Sequence, residues 1–170
     1  YGKGKYVIVT DGLSKSHSMT GLRLGWIVAD RALMPPIVTA HQYIATCASV
    51  FSQEVATAIF ERPAWNAEWL ASVRDRFGLQ RDAALRAVEH ELHTAIPAPG
   101  GAFYLFVPVP GGDTATLAKD LATEAAVLAI PGVAFGMKGE GFLRISYAAD
   151  VETIHHGIAR IGAYLAERAR

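Results

Sequence analysis

The chain has 170 residues, of which 51% are apolar, and 16 Lys and Arg balance 16 Asp and Glu, so it can bury a core and carries no formal net charge at pH 7. There is no basic excess to neutralise phosphates, which argues against nucleic acid or an anionic membrane as partner and for a small molecule. The single cysteine, Cys47, lacks a disulfide partner and a CxxC or Cys/His ligand set, so a reducing, cytoplasmic setting and no metal are expected. Apolar stretches are broken well before the roughly 18 to 20 residues that cross a bilayer.

Tyr1-Gly-Lys-Gly-Lys5 shows neither a signal-peptide pattern nor an initiator methionine, so the expectation is a chain that begins within something longer. Residues 6–10 are β-branched and stop at Asp11-Gly12, which predicts a short buried strand running into a turn. A polar, glycine-bounded loop is predicted for residues 12–21, and an extended apolar run resumes over residues 23–29. Between Asp30 and Glu61 the apolar residues recur at helical spacing. Pro35-Pro36 and residues 46–52 interrupt them, so two helices are expected, the second over residues 52–62.

Pro63 is suited to the first turn of a helix, and residues 65–92 keep helical periodicity long enough to cross between domains, with Gly78 as a place for a bend. A strand is expected over residues 102–107, a helix capped by Asp113 runs to about Ala125, and residues 127–130 and 133–135 are short apolar runs. Residues 142–147 read as another strand and Asp150 caps a final amphipathic helix. The second half is therefore an α+β unit with helices packed on a small sheet.

Most lysines are solvated surface charges, but the neighbourhood of Lys15 is unusual. Ser14, Ser16, Ser18 and Thr20 surround it, Gly12, Gly21 and Gly25 permit close backbone approach, and Arg23 follows eight residues on. Hydroxyls, glycines and one arginine suit an anion such as a phosphate, which a guanidinium grips through paired N–H donors. A positioned amine beside that anion suits attack on a carbonyl.

The run Gly12-Leu-Ser-Lys15-Ser-His-Ser-Met-Thr-Gly-Leu-Arg23-Leu-Gly25 resembles the pyridoxal-phosphate attachment site of the class I and II aminotransferases. The resemblance implies that Lys15 is the catalytic lysine and carries pyridoxal 5'-phosphate as a Schiff base, with Arg23 on the cofactor phosphate. It continues through Pro99-Gly-Gly-Ala-Phe-Tyr-Leu105, Ile130-Pro-Gly-Val-Ala-Phe-Gly136 and Gly141-Phe-Leu-Arg144-Ile-Ser-Tyr147, in the family's order. The arginine of the last motif holds the substrate carboxylate in such enzymes, which assigns that role to Arg144. One departure stands out. Many members have a serine three residues before the lysine, where this chain has Gly12, and in an extended loop Ser14 would not point the same way.

The same resemblance implies fold type I, with the end of a large α/β cofactor-binding domain over residues 1–62. A long interdomain helix region over 63–95 and a small α+β C-terminal domain over 96–170 would follow. The implied reaction is amino-group transfer between an amino acid and a 2-oxo acid, by a homodimer of a protein about twice this length or more, so the 170 residues alone are expected to be inactive; two strands without the rest of their sheet would expose apolar edges, so residues 1–62 are expected to need a partner segment or a rearranged dimer. A pyridoxal-phosphate-dependent lyase or decarboxylase, or a non-catalytic regulatory module, would carry the same motifs.

Other signals point elsewhere. His17 stands where an aromatic residue is common and either lines the site or packs; Gln53 reads as a helix-start residue. Residues 12–16 match neither GxSxG nor SxxK, so a serine hydrolase is not indicated. His155-His156 diverge on a helix, and residues 133–141 have glycines without a phosphate-loop pattern. Trp65 and Trp69 read as packing at i and i+4.

Overall fold

A computed structural model describes residues 6–168; the notable run Tyr1 to Lys5 lies outside them. The chain forms two compact units, one ending at Val73 and one beginning at Arg74.

The first unit opens with strand β1 (Ile8–Gly12), antiparallel to β2 (Gly25–Ala29), in a register that sets Gly12 opposite Gly25 and Asp11 opposite Trp26. The expected buried strand is instead half-open, with Ile8, Ile27 and Val28 exposed, because the sheet has two strands and helices cover only part of it. The expected loop also differs. Residues 12–21 contain a single helical turn, α1 (Leu13–Ser16), followed by a tighter turn over Thr20–Leu22. Leu13 explains the winding: its side chain is buried on Ala56 and Ile59, and the chain must coil to return from that anchor to β2.

Helix α2 (Met34–Ala45) takes Pro35 and Pro36 into its first turn. The prolines do not break it, since backbone N–H groups there have no intrahelical acceptor to lose. Helix α3 (Val50–Phe60) turns Ser52, Ala56 and Ile59 inward at helical spacing, and Trp26 of β2 meets Phe60 edge-on with ring centroids 5.6 Å apart. Helix α4 (Pro63–Leu92) is continuous through Gly78 and runs past the boundary at Val73 into the second unit.

The second unit is a three-stranded antiparallel sheet backed by helices. Strand β5 (Phe142–Ser146) is central, between β3 (Tyr104–Pro108) and the short β4 (Ile130–Pro131). Strand periodicity divides the residues between the faces. Leu105, Val107 and Leu143 are buried with Ala84, Ala87 and Val88 of α4, Leu117 and Leu121 of α5 (Thr114–Glu124), and Ile154, Ile158 and Ile161 of α6 (Val151–Arg168). Tyr104, Phe106, Phe142 and Arg144 take the opposite face. Asp113 and Asp150 cap α5 and α6, accepting from the backbone N–H groups of Thr116 (3.0 Å) and Thr153 (2.8 Å).

Candidate active site

Lys15 lies in the last turn of α1, on an open cleft of about 540 Å³ that Gly12, Ser14, Ser16, Arg23 and Gly25 also line. Three features position these residues. Leu13 pins the beginning of the turn to α3. The buried Ser52 hydroxyl donates to the Leu22 carbonyl at 2.7 Å, fastening the second turn to the same helix. Arg23 adopts a left-handed backbone (φ 52°, ψ 43°), and its guanidinium donates to the Thr20 carbonyl at 3.0 Å.

The floor of the cleft is close-packed backbone. A side-chain carbon on Gly12 would stand 2.9 Å from the Leu24 carbonyl oxygen, and one on Gly25 would stand 2.9 Å from that of Asp11. Asp11 itself lines the cleft and accepts from the Gly12 N–H at 2.7 Å, so its carboxylate is tied to the floor.

The helical winding corrects one expectation about Ser14. Successive side chains diverge by about 100° in a helical turn, against 180° in a strand. Ser14 and Ser16 both border the cleft beside Lys15, in a helical turn and not in the extended loop that was expected.

His17 is buried and structural in its contacts. The Ser16 hydroxyl donates to its Nδ1 at 2.9 Å, and its Nε2–H donates to Asn66 Oδ1 on α4 at 2.8 Å. Gln53 is exposed in the first turn of α3 and donates to the Ala48 carbonyl at 3.0 Å. Its neighbour Ser52 is the residue that fastens the turn before Arg23.

Arg144 belongs to the second unit, on its central strand, paired in register with Phe106 and Ile130. Its guanidinium carbon lies 4.2 Å from the ring centroid of Tyr104 and 4.5 Å from that of Phe135. Among the described residues no carboxylate is ion-paired with it. Ser52, Asn66, Tyr104 and Phe135 join the expected residues, with no role of their own assigned from sequence. Tyr104 could have been found from the alternation that puts it two residues from Phe106, but nothing in the sequence joins Ser52 to Leu22 or Asn66 to His17.

The sequence profile described as aminotransferase class I and II matches residues 2–161. The chain belongs to this aminotransferase family. Its relatives include a probable N-acetyl-LL-diaminopimelate aminotransferase of Bacillus subtilis, 32% identical over 95% of this chain and 40% of the relative. An aspartate aminotransferase of Pyrococcus abyssi is 32% identical over 98% of this chain and 43% of the relative. In three dimensions the chain is similar to an aromatic aminotransferase from Pyrococcus horikoshii, with a TM-score of 0.85, 30% identity, and coverage of 95% of this chain and 43% of that one. An aspartate aminotransferase of Thermotoga maritima follows with a TM-score of 0.81 and 26% identity, over 94% and 40%.

These likenesses place the chain in an α/β aminotransferase fold. The chain spans about two fifths of the length of the curated aminotransferases it matches. The family implies pyridoxal phosphate as cofactor, and the cleft fits such a group: it joins an amine, a guanidinium and two hydroxyls above a glycine floor that lets a flat molecule approach the backbone. Among the described residues no group of three or more His, Cys, Asp or Glu is placed to hold a metal, and no helix is long and apolar enough to cross a membrane.

Proposed function

We propose that this chain supplies the catalytic lysine, part of the phosphate cradle and the carboxylate anchor of a pyridoxal-phosphate-dependent aminotransferase. The observation that carries the proposal is the placement of Lys15 and Arg23 on one glycine-floored cleft. Lys15 would hold the cofactor through its amine and, when freed by the substrate, would take the proton from the substrate Cα–H and pass it on to the cofactor. Arg23 holds the phosphate, with Ser14 as a further donor. Arg144 orients the amino acid, and then the 2-oxo acid, by its carboxylate. When bound, pyridoxal phosphate supplies the electron sink that stabilises the carbanion left by deprotonation.

In this proposal residues 1–62 end a large fold type I domain, residues 63–95 form the interdomain helix region, and residues 96–170 are the small domain. The full-length protein is a cytoplasmic homodimer. The exposure of Tyr43 (89%), Ile44 (85%), Val50 (70%) and Phe51 (69%) supports a first unit that gains cover from sequence beyond this chain or from a second subunit. The relatives' greater length supports the same reading, and turnover is assigned to the longer protein.

The test is to incubate the chain with pyridoxal phosphate, reduce with borohydride and map the label by mass spectrometry. Label concentrated on Lys15, weakened by Arg23→Ala and abolished by Lys15→Ala, is expected. Equal labelling of Lys119 and Lys138 would remove the proposal's basis. Turnover of an amino donor to its 2-oxo acid by the 170 residues alone would show that no further sequence is needed.

A further inference from the structure

We propose that Tyr104 and Phe135 are positioning residues for Arg144, together holding its guanidinium in place for a carboxylate. The proposal rests on the reading of Arg144 as the carboxylate anchor and adds how so long a side chain is kept where it is needed. A long arginine side chain loses rotamer entropy on being fixed. A surface acid could fix it, but would occupy the N–H donors that a substrate carboxylate needs. Aromatic faces do not compete in this way: they attract the cation through the ring quadrupole and leave in-plane N–H groups for hydrogen bonds.

The rings are themselves held. Tyr104 is on β3, paired with Ser146, and its ring touches that of Phe103 with centroids 4.4 Å apart. Phe135 ends the tight turn Gly132–Phe135 and meets Phe106 edge-on at 6.0 Å, while Phe106 stacks on Phe142 at 5.3 Å. Arg144 shares the face of Phe106 and Phe142, so the cation sits in an aromatic setting assembled from both strands and the turn. Phe135 remains 52% exposed, so burial in a core does not account for its position against the guanidinium.

The experiment is NMR of the arginine Nε–H and Hδ resonances of the 170-residue chain. Arg144 is expected to show upfield ring-current shifts that shrink in Tyr104→Leu and Phe135→Leu and persist in Tyr104→Phe. The chain is then titrated with 4-methylpentanoate, an unreactive carboxylate with no ring current of its own. Saturable movement of the Arg144 Nε–H resonance is expected, weakened about two- to five-fold by each leucine variant and unchanged by Tyr104→Phe. Leucine variants that bind as tightly as the unaltered chain would overturn the positioning role while leaving Arg144 as the anchor. An Arg144 resonance with ring-current shifts but no response to the carboxylate would remove the anchor reading, and this proposal with it. If Tyr104→Leu loses its dispersed spectrum, the half-exposed Phe135→Leu decides the matter by the same two readouts.

Discussion

The imidazole of His17 is tied to Asn66 by a 2.8 Å hydrogen bond from Nε2–H to Oδ1, joining the turn that carries Lys15 to the beginning of α4. The Ser16 hydroxyl occupies the other ring nitrogen, so both polar atoms of a buried side chain are satisfied, and both partners are needed.

Asn66→Leu should therefore destabilise the chain by about 1 to 3 kcal/mol, the cost of leaving a buried N–H without an acceptor. Combining it with His17→Phe removes the orphaned donor and should recover part of that loss, a coupling that thermal or urea unfolding of the two single variants and the pair would measure. Strict additivity would mean that the hydrogen bond contributes nothing.

Gly12→Ser, which restores the hydroxyl common in the family, should lower stability and bring little gain in cofactor affinity. Its Cβ would stand 2.9 Å from the Leu24 carbonyl oxygen and 3.2 Å from the Gly25 Cα, both backbone atoms that cannot swing away. About 1 to 3 kcal/mol is expected for such overpacking. A melting temperature equal to that of the unaltered chain would contradict it.

Gly132 and Gly139 approach each other so closely that a Cβ on either would collide with the carbonyl oxygen of the other. Gly132→Ala and Gly139→Ala should each destabilise the second unit by at least about 1 to 3 kcal/mol. The displaced turn carries Phe135, so the Arg144 resonances should move as well. Gly100→Ala, where a Cβ meets nothing nearby, serves as the control.

The acid limb of stability should depend on Glu140. The backbone N–H of Thr114 (2.9 Å), the Thr114 hydroxyl (2.8 Å) and the Gly141 N–H all donate to its carboxylate, which holds its pKa below the ordinary range; burial and the nearby Asp113 oppose them. Because the folded pKa is depressed, the contribution is fully present above the unfolded value of about 4 and is lost as pH falls through the folded one. Asp113 and Asp150, lowered chiefly by the Thr116 and Thr153 N–H groups, act in the same direction. Unfolding of Glu140→Gln followed from pH 7 to pH 2 should show a shallower loss of stability below pH 4 than the unaltered chain; superimposable profiles would contradict this.

Much of the second unit was legible because local chemistry acts over a few residues. Asp113 and Asp150 mark their helices as caps, and the short apolar, aromatic-rich runs of residues 102–107 and 142–147 mark the strands, with ends that move by up to two residues in the structure. The turn at Lys15 was not legible in this way. Its polar, glycine-bounded composition reads as a loop, and only the burial of Leu13 on Ala56 and Ile59, more than forty residues downstream, makes it helical. Pro35 and Pro36 misled in the other direction, since a helix that starts at Met34 places them where no hydrogen bond is lost.

The sequence by itself determined the residue types and spacings that identify the family: Lys15, Arg23 eight positions later, and Arg144 within Gly141-Phe-Leu-Arg144. These are properties of composition and order, which survive without coordinates. Only the tertiary structure decided that Ser14 flanks the cleft beside Lys15, that His17 is fastened to Asn66, and that Arg144 stands over Tyr104 and Phe135. Each of those depends on contacts between residues distant in the chain or on the winding that such contacts impose, and neither is encoded in any local pattern.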